Sequence, residues 1–460
     1  MFSKGAFGGL RYLSPVMGEM NKRILNLAVP NIISNISVPL LGIVDMALMG
    51  HMGSDAYIGA IALGSLIFNF IYWGLGFLRM GTSGFTAQAR GRRDLPETIH
   101  VVARAVVIAL TVSTALLLLQ RPIEWLSFLL LKGETKVETL AMEYFRIRIW
   151  AAPAVLGQFA LLGFFLGMQN ARLPMVVLVT TNLINVGCSM LFVLRLGMGS
   201  AGVALGTVIA QYTGLLLALF FFRKYFRRLF AYWSLRATMK WDALRHFLQV
   251  NQDIFIRTMC LVAVFTIFTA RSASSDTDSG GEETILAVNS LLMQFFMFFS
   301  FLIDGFAHAA EALTGRYIGA GNSRSLSRTI RLLFLWGGGL GLVFTLLYLT
   351  AGGSIFRLLT SNSEVISNAR PYLFWVILIP LVSFPAFLWD GIFIGATAGK
   401  EMRNAMLVSA LIIFFPAYFL AGRIMGNHGL WLAFILFMGA RGITMQLLSR
   451  RAVWSRVNHR

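Results

Sequence analysis

Long apolar runs alternate with short polar breaks along the whole chain. Twelve runs reach or exceed the length that crosses a bilayer, at 26–50, 57–84, 100–120, 142–168, 174–194, 201–222, 246–270, 284–312, 329–350, 370–395, 404–422 and 428–448. About 20 apolar residues cross the hydrocarbon as a helix, and helix is the form that satisfies their backbone there. The pattern therefore predicts an all-α integral membrane protein with twelve transmembrane helices. Several runs are longer than needed, which implies tilt or ends that reach water.

The pattern also repeats. GFFLGMQNARLPM at 163–175 matches GIFIGATAGKEMRNAM at 391–406, its G-x-x-x-G pair displaced by 228 residues. FLRMGTSGFTAQARGR at 77–92 aligns with FLIDGFAHAAEALTGR at 301–316, an offset of 224. GSAGVALG at 199–206 echoes GNHGLWLA at 426–433, an offset of 227. Three matches in order at nearly one offset predict two homologous six-helix lobes, 1–222 and 246–460. An even number of spans gives both lobes one orientation, related by an axis along the membrane normal. The basic, aromatic stretch at 223–245 joins them and reads as an amphipathic helix on the cytoplasmic surface.

Composition strengthens this reading. The chain is 57% hydrophobic and 13% charged, with a mean hydropathy of +0.72, far from a soluble domain. The net charge of +19 would suggest nucleic acid in a soluble protein, but no groove-reading or base-stacking motif accompanies it. The basic residues lie in the breaks between spans. Under the twelve-span scheme 26 fall on one side, among them Lys22, Arg92, Arg227, Arg324 and Lys400, against eight on the other, such as Arg121, Arg271 and Arg423. The richer side is cytoplasmic, which puts both termini inside and the acidic loop SSDTDSGGEE, 274–283, outside. The first run is long enough to remain as a span, so no cleavable signal is expected. Cys188 and Cys260 lie inside apolar runs and read as buried thiols, neither disulfide nor metal ligands.

Ionisable residues at membrane depth cost at least ~2.5–3.5 kcal/mol each on insertion scales and so need a reason. They are Asp45, Arg79, Asp253, Arg257, Asp304, His308, Glu311, Asp390 and Arg441. Asp45 closes the first span beyond two prolines, Pro30 and Pro39. Each proline removes a backbone hydrogen bond, so the segment between them is a candidate hinge. A carboxyl group in hydrocarbon changes charge with its surroundings, because the ionised form is the costly one. In the fifth run Asn182, Asn185 and Ser189 share one helical face, and Thr207 and Gln211 repeat the spacing in the sixth. They line either a pocket around Asp45 or an ordinary interhelical hydrogen-bonded seam. In the second lobe Asp253 and Arg257 are spaced for an i,i+4 ion pair. Asp304, His308 and Glu311 form a stripe suited to a proton relay or cation surface, and Asp390 is placed to face the same cavity. One such stripe is not a dinuclear metal site, which needs two matched helices. No Walker A pattern is present, so an ion gradient is the expected energy source. No cofactor and no metal are expected.

The motifs SNISVPLLGIVDMALMGHMG, NQDIFIRTMCL, FLIDGFAHAAEALTGR and DGIFIGATAGKEMRNAM are spread over both lobes. By them the chain resembles the MATE (multidrug and toxic compound extrusion) exporters, in particular their DNA-damage-inducible protein F branch. The resemblance implies a V-shaped, MOP-type twelve-helix inner-membrane exporter that alternates between inward and outward states. It implies exchange of organic cations and amphipathic compounds for H⁺, with Na⁺ used by some members. In that pattern Pro30 and Asp45 match the first-helix proline and aspartate, whose protonation is thought to bend the helix. Asn185 and Thr207 match polar positions lining the amino-terminal pocket. The family's fifth-helix acid is absent, since Ser189 stands in its place. A monomer among membrane lipids is expected. Two other readings compete. A lipid-linked oligosaccharide flippase shares the architecture but calls for a cationic cavity, whereas acids outnumber the interior arginines. An intramembrane aspartyl protease needs two aspartates facing one peptide bond, and the six-helix repeat argues against it.

Overall fold

The computed structural model describes the backbone of residues 6–50, 55–131, 134–273 and 282–458; the side chains of 6–17, 45–47, 49–50, 55, 282–284 and 458 lie outside that description. Among the described residues all regular structure is helical. Twelve helical segments are long and apolar enough to cross a membrane: α1 Gly18–Val44, α2 Ala56–Arg92, α3 Leu95–Leu118, α4 Thr135–Gly167, α5 Arg172–Arg195, α6 Gly199–Tyr232, α7 Trp241–Ala273, α8 Ile285–Gly319, α9 Ser323–Leu359, α10 Ser363–Gly395, α11 Gly399–Met425 and α12 Asn427–Val457. All twelve expected spans are present. The expected acidic loop lies outside the described residues over most of its length.

The helices pack through small residues, as membrane helices do when lipid removes the hydrophobic drive. A Cβ built on Gly163 of α4 would land on the Arg79 carbonyl of α2, and one on Gly167 would meet the Ser83 carbonyl and the Ala87 nitrogen. In α10, Gly391 lies on the Ala307 carbonyl of α8, and Gly395 on the Glu311 carbonyl and the Gly315 nitrogen. Each of these contacts recurs after 228 residues. The offset of 224 read for α2 and α8 is thus one helical turn out, because a pattern of small residues survives a four-residue slide at 3.6 residues per turn. The ends of the spans repeat likewise. Left-handed residues close α2 at Arg93 (φ 59°) and α8 at Gly321 (φ 64°), and follow α4 at Gln169 (φ 55°) and α10 at Thr397 (φ 53°). Asp94 caps α3 by accepting from the Glu97 N–H at 2.9 Å, and Asn322 caps α9 by accepting from the Ser325 N–H at 2.9 Å. Left-handed stops and Asx starts make short turns.

The chain folds as two compact units. One holds residues Ile33–Phe255, the other Ile256 onward together with the first helix up to Ile32. The divisions fall inside continuous helices, in α1 between Pro30 and Pro39, and in α7 after Phe255.

The connecting stretch differs from the single surface helix expected. Helix α6 continues to Phe226, a 3₁₀ segment covers Arg227–Tyr232, and one helical turn covers Leu235–Thr238 before α7 begins. Arg104 of α3 fastens it. Its guanidinium donates to the carbonyls of Thr238 (3.0 Å) and Ala237 (3.3 Å) and pairs with Glu97 at 2.7 Å. A cation at a helix C-terminus satisfies carbonyls that have no partner in the helix itself. Cys188 and Cys260 are free, half-buried thiols.

Candidate functional site

The polar residues of the unit 33–255 gather where α5 meets α6 and α1. Asn185 Nδ2 donates to Thr207 Oγ1 at 3.0 Å, Ser189 Oγ donates to Asn185 Oδ1 at 3.4 Å, and Thr207 Oγ1 donates to the Val203 carbonyl at 2.9 Å. All three side chains are buried. Gly206 makes this possible, since a Cβ there would sit 3.0 Å from Ser189 N and Oγ. One turn earlier on α5, Asn182 Nδ2 donates to Ser37 Oγ of α1 at 2.9 Å. Of the expected residues, Asn185 and Asn182 thus bond across spans, to Thr207 of α6 and to Ser37 of α1. Gln211 turns elsewhere, accepting from Gln158 Nε2 at 2.9 Å.

Helix α1 runs unbroken through Pro30 and Pro39. Side chains serve the carbonyls near them. Asn31 Nδ2 donates to the Leu27 carbonyl at 2.7 Å, and Ser37 Oγ to the Ser34 carbonyl at 2.7 Å. The carbonyls that the prolines deprive of an N–H partner are those of Asn26 and Asn35, so these bonds go to carbonyls beside the two breaks. In the other unit, Gly305 of α8 lets α1 come close, since a Cβ there would lie 2.9 Å from the Ala28 carbonyl. The Asp45 side chain lies outside the described residues; its backbone continues the helix.

The second unit carries a charge cluster. Asp390 Oδ2 accepts from Arg257 and, at 2.5 Å, from Arg441, and all three side chains are buried. The charge of Asp304 also acts on Arg441. Sequence spacing offered Arg257 the neighbouring Asp253; the structure also gives it Asp390 of α10 as a partner. Asp390, expected to face a cavity, is held between two guanidiniums that tie α7, α10 and α12. Of the α8 stripe, Glu311 is fully buried beneath the Gly395 contact, while His308 and Asp304 are half-buried.

Three polar clusters escaped the sequence reading. Asn289 of α8 donates to Ser272 (2.8 Å) and Asn427 (2.7 Å) and accepts from Trp431 Nε1 (2.9 Å), all four buried. Glu124, on a short helix over Gln120–Leu130, pairs with Arg146 at 2.7 Å. Arg148 of α4 packs over Phe68 and Tyr144 and bonds Ser65. The signal for the two arginines was present. With the fourth span read from residue 142 they fall near its end, but α4 begins at Thr135, which places Arg148 near mid-helix.

Twelve spans in two repeated halves, with polar clusters inside each, define a multi-pass membrane protein. Comparisons identify which kind. Residues 30–191 and 255–419 match the MatE family. The chain is 37% identical over 431 residues to DNA damage-inducible protein F of Escherichia coli, covering 94% of this chain and 92% of that one. It is 24% identical to multidrug and toxin extrusion protein 1 of Danio rerio, over 99% of this chain and 76% of that one. An outward-facing multidrug resistance MATE transporter of the MOP superfamily superposes with a TM-score of 0.84 at 18% identity, covering 95% and 96% of the two chains. The chain belongs to the MATE family of efflux transporters.

Proposed function

We propose that the protein expels organic cations and amphipathic compounds from the cytoplasm in exchange for H⁺, by alternating access across the inner membrane, with both termini cytoplasmic. Helix α1 is the moving element. Pro30 and Pro39 bracket the segment that yields, Asp45 carries the proton, and Asn182, Asn185, Ser189 and Thr207 form the surface against which α1 re-seats. The observation that carries this reading is the bond from Asn182 to Ser37, inside the proline-bracketed segment. A rearrangement of α1 must exchange that bond, so the state of the first helix and the polar face of α5 are read together. One H⁺ moving down 100 mV releases ~2.3 kcal/mol, enough to hold roughly a 50-fold gradient of an uncharged amphipath, whereas a monovalent cation exchanged one for one with H⁺ is driven by the pH difference alone. Relatives named for multidrug extrusion and multidrug resistance support the substrate class.

The test is transport of a fluorescent organic cation into liposomes under an imposed pH gradient, an imposed Na⁺ gradient, or neither. Uphill movement that needs the pH gradient and disappears in Asp45→Asn is the expected result. Movement driven by Na⁺, or retained in Asp45→Asn, would place coupling among the acids of the second unit. Failure to bind any cationic dye, with binding of a pyrophosphate-linked lipid, would favour the flippase reading.

A further inference from the structure

We infer that a cavity between α9, α10 and α12 holds the phosphate headgroup of an anionic membrane lipid. It measures about 280 Å³. Ser327 and Arg331 of α9, Trp389 of α10, and Gln446, Ser449 and Trp454 of α12 give it its chemistry. Helices α9 and α12 both pack against α10, and Trp389, 3% exposed, forms the floor between them. Among the described residues that line the cavity, Arg331 is the one charge and none is a carboxylate. Arg324, Arg328, Arg450 and Arg451 flank it along the same two helices.

The internal repeat marks the cavity as built. Helices α3 and α4 recur as α9 and α10 after 228 residues, and α6 recurs as α12 after 227. In the unit 33–255, Ile99, Val102, Leu161 and Phe222 belong to one buried apolar cluster. Their counterparts are Ser327, Ile330, Trp389 and Ser449, and all four line the cavity. Interiors pack closely, so serine in place of isoleucine and of phenylalanine opens room where the first repeat closes its core. A π turn over Arg450–Trp454 completes the wall. At 3.6 residues per turn, Val453 would share the face of Gln446. The wider turn takes up one more residue and brings Trp454 there instead.

The surroundings fit a lipid. One turn toward the middle of the spans, the faces that carry Arg331 and Gln446 present Leu335 and Ile443, 62% and 63% exposed. Charge at the helix ends and apolar side chains below it match a headgroup with acyl chains. The guanidinium of Arg331, the Gln446 amide and the Ser327 hydroxyl supply donors for phosphate oxygens. Ser449 Oγ donates to the Gln446 carbonyl at 2.7 Å and serves by its small size. Trp454 is of the type that sits at headgroup level, and the flanking arginines attract an anionic leaflet. Pockets for drug-sized ligands start at about 300 Å³, so this one suits a phosphodiester whose chains stay outside.

Delipidated protein in detergent is titrated with dioleoyl phosphatidylglycerol and, separately, with dioleoyl phosphatidylcholine, and bound lipid is counted by native mass spectrometry. Phosphatidylglycerol is expected to bind more tightly. A hydrogen bond to a charged group corresponds to about a 10-fold to 100-fold change in affinity, and Arg331→Gln is expected to weaken phosphatidylglycerol by that factor. Lys400→Gln removes an exposed charge from the same end of the unit but outside the lining, and is expected to change nothing. Ser449→Phe places the first repeat's residue in the cavity and is expected to abolish tight binding. Ser327→Ile, at an exposed position, asks the same question if that variant fails to fold. Equal affinity for the two lipids, equal losses in Arg331→Gln and Lys400→Gln, or tight binding that survives cavity filling overturns the inference. Glycerol phosphate added as competitor separates the sources of phosphate. No displacement supports the lipid; displacement at the lipid's own concentration assigns the cavity to a soluble phosphate ester and overturns the lipid assignment. None of these measurements moves a substrate, so the proton-exchange reading stands or falls apart from them.

Discussion

Replacing Asp390 with asparagine should damage the protein more than any single change to the two arginines it holds. Arg257 and Arg441 both donate to one oxygen of Asp390, and their side chains are 8% and 2% exposed. Asp390→Asn strands two buried cations, with Asp304 acting at a distance on Arg441. Removing the partner of a buried pair costs about 3–5 kcal/mol, because the remaining charge stays desolvated. Arg257→Met instead leaves Asp390 and Arg441 as a one-to-one pair and should cost far less. Size-exclusion chromatography after stepped heating, on protein purified in the same detergent, reads the order directly. The expected order is wild type, then Arg257→Met close behind, then Asp390→Asn well below. A triple variant with Asp390→Leu, Arg257→Met and Arg441→Met should recover most of the loss, since apolar replacement of a whole buried ion cluster is near neutral. If Arg257→Met melts as low as Asp390→Asn, the counting of stranded charges is wrong.

Gly163→Ala and Gly391→Ala each drive a methyl group into a facing carbonyl and should lower the same heating midpoint by the equivalent of about 1–3 kcal/mol, whereas Gly187→Ala, with nothing within 4 Å, should be tolerated. A double-mutant cycle on Asn185→Ala and Thr207→Val should return a coupling of ~0.6 kcal/mol, the average for hydrogen bonds between membrane helices; zero coupling would mean that the 3.0 Å bond is not formed in the membrane. Arg104→Met releases the carbonyls of Ala237 and Thr238 and should speed tryptic cleavage at Arg236 and Lys240 in folded protein, measured by mass spectrometry.

The twelve spans were legible because lipid demands one pattern, an apolar helix, and few local exceptions obscure it. The glycine pairs 163/167 and 391/395 were legible for a related reason, since close approach of two backbones admits only a missing side chain. Boundaries were less so. Apolar runs mark where hydrocarbon ends, but helices continue past it, and reading the fourth span from residue 142 hid Arg146 and Arg148 at its apparent end. The partners of Asp390 were not legible at all. They lie 133 and 51 residues away, and helical spacing ranks only neighbours within a turn or two. The connecting stretch misled because its charges and aromatics suit a surface helix, while the fold breaks it to reach Arg104.

The ion cluster also bears on where coupling can reside. A coupling carboxyl must lose and regain its charge in each cycle, at a cost within the ~2.3 kcal/mol that one proton brings across 100 mV. Neutralising Asp390 would strand Arg257 and Arg441 and exceed that sum by the reasoning above. The amides and hydroxyls along α5 and α6 carry no charge and exchange partners cheaply, which suits them to stand beside a group that titrates. This favours the first helix for the proton and gives Asp390 the task of holding its own unit together. The two aspartates should then fail in different ways. Asp390→Asn should be recovered in low yield and melt early, with residual transport in proportion to the protein that survives. Asp45→Asn should be recovered in full, bind dye, and fail to respond to a pH gradient. Protein of normal stability that has lost pH-driven transport in Asp390→Asn would reverse the assignment.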